Sequence, residues 1–377
     1  MILLALSLAS LAAWIYLAGF HGLFWISGPA LPPASEPLRT KRIAAVIPAR
    51  NEAESIERCL SSLLAQTIDA ELTILLVDDN STDGTGEIAD KLAASAPTRH
   101  RIVVVTGQPL APGWSGKLWA VQQGLQHPAA RAAEFVLLTD ADIAHAPDHL
   151  ARLVAKAEAG QLELVSEMVH LHCRTFTERA LIPAFVFFFQ MLYPFRRAAD
   201  PHSKVAAAAG GTMLVARAAL DRIGGVKAIQ SNLIDDCALA ATIKRSGGRI
   251  WLGHALDTHS LRIYVGPGEI WNMIARTAYV QLRHSLLLLA GCILGMSLLY
   301  LAPVALAFVP GTRAVALATW LVMSTLFQPT LRRYRVSHLW GVALPAIALF
   351  YMAATVASAA RHHLGRGGGW KARTYPS

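Results

Sequence analysis

From Arg42 to about Gly266, short apolar runs alternate with stretches whose apolar residues recur at helical spacing. Ile43–Ile47, Leu72–Val77, Ile102–Val105 and Phe135–Thr139 read as buried strands, each short and bounded by polar residues. Glu52–Leu64, Asp83–Ala93 and Gly116–Gln126 read as helices between them. Such alternation has few folded solutions, and the expected one is a mostly parallel sheet with helices on both faces. In open sheets of this class ligands bind at the carboxyl ends of the strands. The residues that follow each apolar run are therefore the first candidates for function.

Those residues carry charge. Phe135–Thr139 runs into Asp140 and Asp142, two carboxylates that can share a hard divalent cation such as Mg²⁺ or Mn²⁺. The first strand runs into Pro48-Ala49-Arg50-Asn51-Glu52, where acids suit the first turn of a helix and Arg50 can meet a nucleotide. The second runs into Asp78-Asp79-Asn80-Ser81-Thr82-Asp83, where Ser81 or Asp83 can cap a helix and Asp79 can accept from a base imide. Lys117 follows Gly113-Trp114-Ser115-Gly116 at a helix start. The spacing and Leu118 rule out a P-loop, but a lysine there can neutralise a phosphate. Further on, Asp235 and Asp236 stand side by side at another helix start. They either complement its dipole or, with mutually perturbed pKa values, supply a general base.

The two ends of the chain have another character. Met1–Ile26 is almost wholly apolar, lacks basic residues before the run, and has no Ala-x-Ala site closing it. It reads as a membrane anchor rather than a secretory signal. Arg39, Lys41 and Arg42 follow, which places the central region in the cytoplasm. Pro29, Pro32, Pro33 and Pro37 make a stiff linker. Of three later apolar blocks, Leu286–Val309 and Leu339–Ala360 are long enough to span, while Ala314–Phe327 is short. Arg332, Arg333 and Arg335 indicate a cytoplasmic loop. The basic tail (Arg361, Arg366, Lys371, Arg373) also belongs inside, which conflicts with three crossings after the central domain. Leu181–Phe195, broken by Pro183 and Pro194, reads as an interfacial helix, with a buried core helix as the alternative. The resulting division is a membrane anchor at 1–27, a linker at 28–41, a catalytic domain at 42–284, a membrane region at 285–361 and a basic tail at 362–377.

Composition removes several function classes. The net charge of +9 comes with no nucleic-acid motif, and membrane-flanking bases plus an anionic ligand account for its sign. Cys59, Cys173, Cys237 and Cys292 are scattered, which argues against a disulfide framework or zinc knuckle. His170 and His172 would share a strand face but lack the further ligands a metal site needs. Gly84 and Gly86 match a dinucleotide fingerprint formally, yet fall inside a predicted helix instead of a tight turn.

In their order, the blocks around Pro48–Glu52, Val77–Thr85, Gly116-Lys117, Asp140–Asp142 and Asp235-Asp236 resemble family 2 glycosyltransferases of the GT-A fold, a Rossmann-like α/β architecture. The resemblance covers about Arg42 to His284. Trp114–Ala120, the phenylalanine-rich block ending at Phe195, and Arg276–His284 look most similar to hopanoid-biosynthesis-associated members.

The resemblance implies a nucleotide pocket lined by Pro48, Ala49, Arg50 and Glu52, with Asp79 on a uracil edge. It implies that Lys117 and Asp140 contact the nucleotide-sugar, that Asp142 holds a divalent metal, and that Asp236 is the base. Asp235, standing where the family usually has Glu, would face the acceptor with a shorter side chain. Gln281-Leu282-Arg283-His284 only echoes the Gln-x-x-Arg-Trp of processive members, which argues against polymer synthesis. The expected activity is inverting transfer from a UDP-sugar to a lipid, a hopanoid or alternatively a polyprenyl phosphate or glycolipid acceptor, at the bacterial inner membrane. A nucleotide-binding membrane scaffold and a nicotinamide-dependent oxidoreductase are the rival readings.

Overall fold

A computed structural model of the chain describes residues 1–34, 38–96 and 99–365, with the backbone of 369–370 and 373–374. Pro37, Arg366 and Lys371 lie outside the described residues. Eight strands form one sheet: β1 (Arg42–Ala49), β2 (Glu71–Asp78), β3 (His100–Thr106), β4 (Phe135–Thr139), β5 (Ile143–Ala144), β6 (Leu164–His170), β7 (Thr212–Ala216) and β8 (Ile250–Ser260). Their order is β3-β2-β1-β4-β7-β6-β8-β5. The β1, β2, β3 and β4 pairings are parallel, whereas β7 runs antiparallel to both β4 and β6, and β5 runs antiparallel to β8. The sheet is thus mixed, and β1 and β4 meet where the chain reverses its direction of winding. That crevice is where open α/β sheets take ligands.

The helices of the central region are α2 (Ile56–Leu64), α3 (Thr85–Ser95), α4 (Gly116–Gln126), α5 (Pro128–Ala132), α6 (His149–Gly160), α7 (Phe176–Leu192), α8 (Phe195–Ala199), α9 (Arg217–Ile223), α10 (Asp235–Arg245) and α11 (Pro267–Gln281). Preceding them is α1 (Ile2–Gly19); following them are α12 (Leu286–Met296), α13 (Ala302–Leu306), α14 (Arg313–Arg333) and α15 (Trp340–His363). Side chains of α2 and α6 (Cys59, Leu60, Leu63, Leu153) bury one face of the sheet. Those of α4, α9 and α10 (Val121, Leu125, Leu220, Leu239) bury the other. Seven of the eight residues of β1 are buried, as a central parallel strand covered on both faces requires. Gly124 lets α4 lie close against β1 and β2, because a Cβ there would stand 2.5 Å from Val46 Cγ1. This close approach brings Lys117, in the first turn of α4, over the crevice.

A third core joins the sheet domain to the terminal helices, with Trp14, Phe187, Phe327, Leu344 and Tyr351 at its centre. Among the described residues, four helices are long and apolar enough to cross a membrane: Ile2–Gly19, Leu286–Leu306, Arg313–Arg333 and Trp340–His363. The middle block is therefore longer than its apolar run of 314–327 indicated, because the helix continues through Gln328–Arg333. The basic loop after it lies on the sheet domain, where the Arg333 guanidinium donates to the Ala255 carbonyl and Tyr334 stacks on His170 at 4.5 Å. α15 begins with Trp340 against Phe176 and ends with His362 stacked on His284 at 4.2 Å. Both its ends thus touch segments leaving the sheet domain.

Several expected boundaries move, for physical reasons. The helix expected from Glu52 begins at Ile56, and that from Asp83 begins at Thr85. Their acids and amides instead stitch two loops together: Asp83 accepts from Ala53 N–H at 2.9 Å, and Asn51 Oδ1 accepts from Thr82 N–H at 2.9 Å. The stretch expected as an interfacial helix is α7, whose Leu181, Ile182, Val186 and Phe187 are buried in the third core. Pro183 lies inside this helix, where it removes one backbone hydrogen bond without ending it. His170 and His172 do not share a strand, since β6 ends at His170 and His172 pairs with Glu178.

Candidate active site

Asp140 and Asp142 leave the carboxyl end of β4, and Asp235 and Asp236 open α10. With Lys117, these four acids line one cavity of about 740 Å³. Lys117 Nζ lies 2.9 Å from Asp140 Oδ1 and 3.1 Å from Asp235 Oδ2. Burial works against the ammonium, but Asp140 and Asp235 outweigh it and hold its pKa above the usual lysine value. Asp235, expected to face an acceptor, is thus engaged by Lys117.

Asp236 is held differently. Its Oδ2 accepts from Gly210 N–H at 2.8 Å and its Oδ1 from Cys237 N–H at 2.7 Å. These two amides fix the carboxylate plane while leaving a lone pair on each oxygen for a ligand. Burial, and then the neighbouring Asp235 charge, raise its pKa to about 6, with Lys117 opposing. A carboxylate so placed is ionised at neutral pH yet more basic than an exposed one, which suits a general base. Tyr193, whose hydroxyl accepts from Gln281 Nε2 at 2.5 Å nearby, is held by burial well above the ordinary phenol range and does not compete for that task.

The nucleotide-side residues sit around the ends of β1 and β2. Pro48 borders the cleft shared by Lys117, Asp140 and Asp235, and Ala49 ends β1. Arg50 donates to the Asp79 carbonyl at 2.5 Å and lies 3.6 Å from its buried carboxylate. Glu52 is turned into the loop, where its N–H donates to Thr85 Oγ1 at 2.8 Å. Sequence reasoning missed the apolar part of the cavity lining. Phe185, Phe188, Leu192 and Met296 supply it, and Arg262 and Arg276 also line the cavity. The phenylalanine run was visible, but not that α7 would lay it against the carboxylates.

A divalent cation fits this donor set in one way only. Among the described residues no group of three His, Cys, Asp or Glu can hold a metal ion. Asp142, with Asp140 tied to Lys117, offers hard oxygen ligands at the rim of a cavity. Such an arrangement suits a cation that shares its remaining positions with a diphosphate, as Mg²⁺ does.

Residues 44–224 match the model of glycosyl transferase family 2. They are a family 2 glycosyltransferase domain. The match ends before Asp235 and Asp236, so those roles rest on geometry. The domain is 32% identical over 121 residues to the polyprenol monophosphomannose synthase of Mycolicibacterium smegmatis, covering 32% of this chain and 43% of that protein. It is 31% identical over 129 residues to the undecaprenyl-phosphate mannosyltransferase of Micrococcus luteus, covering 34% and 49%. The chain thus spans less than half the length of these relatives. The whole fold, terminal helices included, superposes on a mannosyltransferase from Pyrobaculum calidifontis solved with GDP-Man and Mn²⁺. That likeness has a TM-score of 0.62 at 20% identity and covers 96% of this chain and 99% of that one. The glycosyltransferase domain therefore has the GT-A fold, in a chain with helices at both ends long and apolar enough to span a membrane.

Proposed function

We propose that the protein transfers a sugar from a nucleoside-diphosphate sugar to a membrane lipid, inverting the anomeric centre. The observation that carries this reading is the cavity itself, which is lined both by Asp140, Asp142 and Asp236 and by Phe185, Phe188, Leu192 and Met296. A soluble acceptor has no use for such an apolar wall, whereas a lipid bearing its reactive group at one end fits both parts.

In this reading Pro48, Ala49, Arg50, Glu52 and Asp79 flank the base and ribose, and Lys117 and Asp140 meet the diphosphate and sugar. Asp142, with Asp140 beside it, holds the divalent cation. When bound, the cation supplies a Lewis acid that stabilises charge on the departing diphosphate. Lys117 exchanges a carboxylate for a phosphate oxygen without leaving the site. Asp236 takes the proton of an acceptor hydroxyl that attacks from the face opposite the leaving group.

The acceptor has two candidate chemistries, each with an observation behind it. Arg262 and Arg276 beside the apolar wall suit a phosphorylated polyprenyl lipid, in line with what the named relatives act on. The Trp114–Ala120 and Arg276–His284 motifs favour a hopanoid, whose hydroxyl would need Asp236. For the donor, the Asp79 position favours UDP, while the Pyrobaculum enzyme was solved with GDP-Man. We place the domain on the cytoplasmic face of a bacterial inner membrane.

Calorimetric titration of the detergent-solubilised protein with UDP and with GDP, in Mn²⁺ and then in EDTA, tests the reading. One of the two nucleotides should bind only with metal. Absence of metal-dependent binding by either, in folded protein, overturns it.

A further inference from the structure

Behind the Asp140–Asp142 turn runs a buried chain of polar side chains that the reaction does not touch. Thr139, the last residue of β4, donates its hydroxyl proton to the Gly211 carbonyl at 2.7 Å. That hydroxyl also lies 3.1 Å from His145 Nε2, and its single proton is already given, so His145 Nε2–H must be the donor there. His145 Nδ1 lies 2.9 Å from His149 Nδ1. Burial and the His149 charge hold His145 neutral, so its Nδ1 accepts and His149 Nδ1–H donates. His149 Nε2 then closes the chain on Glu167 Oε2 at 2.9 Å. None of the four residues is more than 6% exposed.

One set of directions satisfies the Thr139 and His145 contacts, and a proton held between His149 Nε2 and Glu167 Oε2 completes it, so the hydrogen bonds fix the side chains relative to one another. The far end of the chain is the informative part. Gly211 follows Gly210, whose N–H holds Asp236 Oδ2. Ser166 grips the residue before that turn, with its hydroxyl 2.9 Å from Ala209 N and 3.1 Å from Ala209 O. Thr139 therefore joins two turns: the one that carries Asp140 and Asp142, and the one that orients Asp236. An apolar set of similar size would fill the same space between β4, β6 and α6 without the cost of burying charge and amide-like groups. It would not fix the angle between the two turns.

We propose that Glu167, His149, His145 and Thr139 are positioning residues that hold the Asp140–Asp142 turn in register with the Gly210–Gly211 turn behind Asp236. The inference rests on the glycosyl-transfer reading above. It concerns the alignment of donor and base, and not affinity for either substrate. Displacing reacting groups by about 1 Å costs roughly 100-fold in rate, so the effect belongs in kcat.

The test uses the full chain in detergent and the nucleotide-sugar and lipid pair that the wild type turns over. Thr139→Val keeps the shape of the side chain and removes both hydrogen bonds. It should lower kcat on the order of 10- to 100-fold while the donor KM stays within about twofold. Thr139→Ser restores the hydroxyl and should recover most of kcat, which a purely steric role would not predict. Glu167→Met, similar in length and unable to accept from His149, should give the same split and decides the matter if Thr139→Val does not fold. Wild-type kcat in a folded Thr139→Val, or in a folded Glu167→Met where the valine variant fails, overturns the inference alone. A wild type that turns over no nucleotide-sugar overturns the functional reading, and this inference falls with it.

Discussion

The Lys117 ammonium sits 3.1 Å from Asp235 Oδ2 while also holding Asp140 at 2.9 Å, so one side chain from α4 ties the end of β4 to the start of α10. The contact neutralises two acids that would otherwise repel across the crevice. A diphosphate entering there finds a cation already in place and well coordinated. Lys117→Met should weaken binding of the nucleoside diphosphate by about tenfold or more, since charge-assisted contacts are worth roughly 1.5–3 kcal/mol. Lys117→Arg should retain part of the affinity. Calorimetry on folded variants checks both, and wild-type affinity in Lys117→Met would remove the lysine from the donor site.

Asp236 gives the reaction a pH signature. With its pKa raised to about 6 by burial and by Asp235, the base is protonated below that pH. Transfer to a hydroxyl acceptor should therefore rise with pH through about 6 and level above it. Asp235→Asn removes the like charge, lowers the Asp236 pKa and moves the limb to lower pH. Lys117→Met removes the opposing cation and moves it higher. A limb that stays in place in Asp235→Asn would mean that another group controls it.

If the cation is shared between Asp142 and a diphosphate, neither ligand should bind well without the other. Asp142→Asn should abolish the Mn²⁺-dependent part of nucleotide binding and leave the melting temperature within a few degrees. Mn²⁺ paramagnetic resonance in the presence and absence of nucleotide measures this directly. Tight Mn²⁺ binding to the nucleotide-free protein would contradict a shared site.

How much of this was legible beforehand differs from residue to residue. The parallel half of the sheet could be read because β1, β2 and β4 are nearly unbroken apolar runs, the last two running straight into acids. The antiparallel half could not. β8 carries Gly253, His254, Asp257 and His259 within its length, so no apolar run marks it. α4 was read to the residue, since Ser115 caps it, whereas the loops before α2 and α3 were mistaken for helix because their acids mimic dipole complements. Asp140, Asp142, Asp235 and Asp236 were visible, each following a strand or opening a helix, whereas Glu269, which also lines the cavity, was not singled out. What sequence could not show is that Lys117 would occupy Asp235, or that α7, buried against α14 and α15, would supply the apolar part of the cavity lining.

Glu178 illustrates a buried charge with a structural task beside that cavity, whose lining residue Tyr264 it holds. It accepts from the backbone N–H groups of Arg174, Thr175 and Tyr264 and from His172 Nδ1, and it is fully buried. Burial disfavours the carboxylate, but those donors, led by the Tyr264 N–H, outweigh it and lower the pKa from 4.5 to about 2. Its contribution to stability is therefore fully present above about pH 4.5 and lost as pH falls towards 2. Glu178→Ala orphans several donors and should destabilise the protein by about 3 kcal/mol. It should also loosen the 262–266 segment that brings Arg262 to the cavity. Thermal unfolding at pH 7 checks the magnitude; a change below about 0.5 kcal/mol would show that water replaces the carboxylate.

The two candidate acceptors make different demands on Asp236. A hydroxyl must lose a proton as it attacks, so a carboxylate within reach is required. A phosphate monoester has a second pKa near 6 and is already largely a dianion at neutral pH; its oxygen attacks without help from a base. Asp236→Asn keeps the side-chain shape and one of the two backbone hydrogen bonds but cannot take a proton. If the acceptor is a hopanoid hydroxyl, this variant should bind nucleotide as the wild type does and lose about 100-fold or more in kcat. If the acceptor is a polyprenyl phosphate, kcat should fall by less than about tenfold and keep a dependence on pH near 6, because the acceptor's own second ionisation lies there. Charge reversal on the other side of the cavity gives the complementary result, because Arg276→Glu should raise the KM of a phosphorylated acceptor and spare a neutral one. Measuring both variants against both lipids separates the chemistries, and loss of transfer to the phosphate lipid in Asp236→Asn would show that this carboxylate does more than remove a proton.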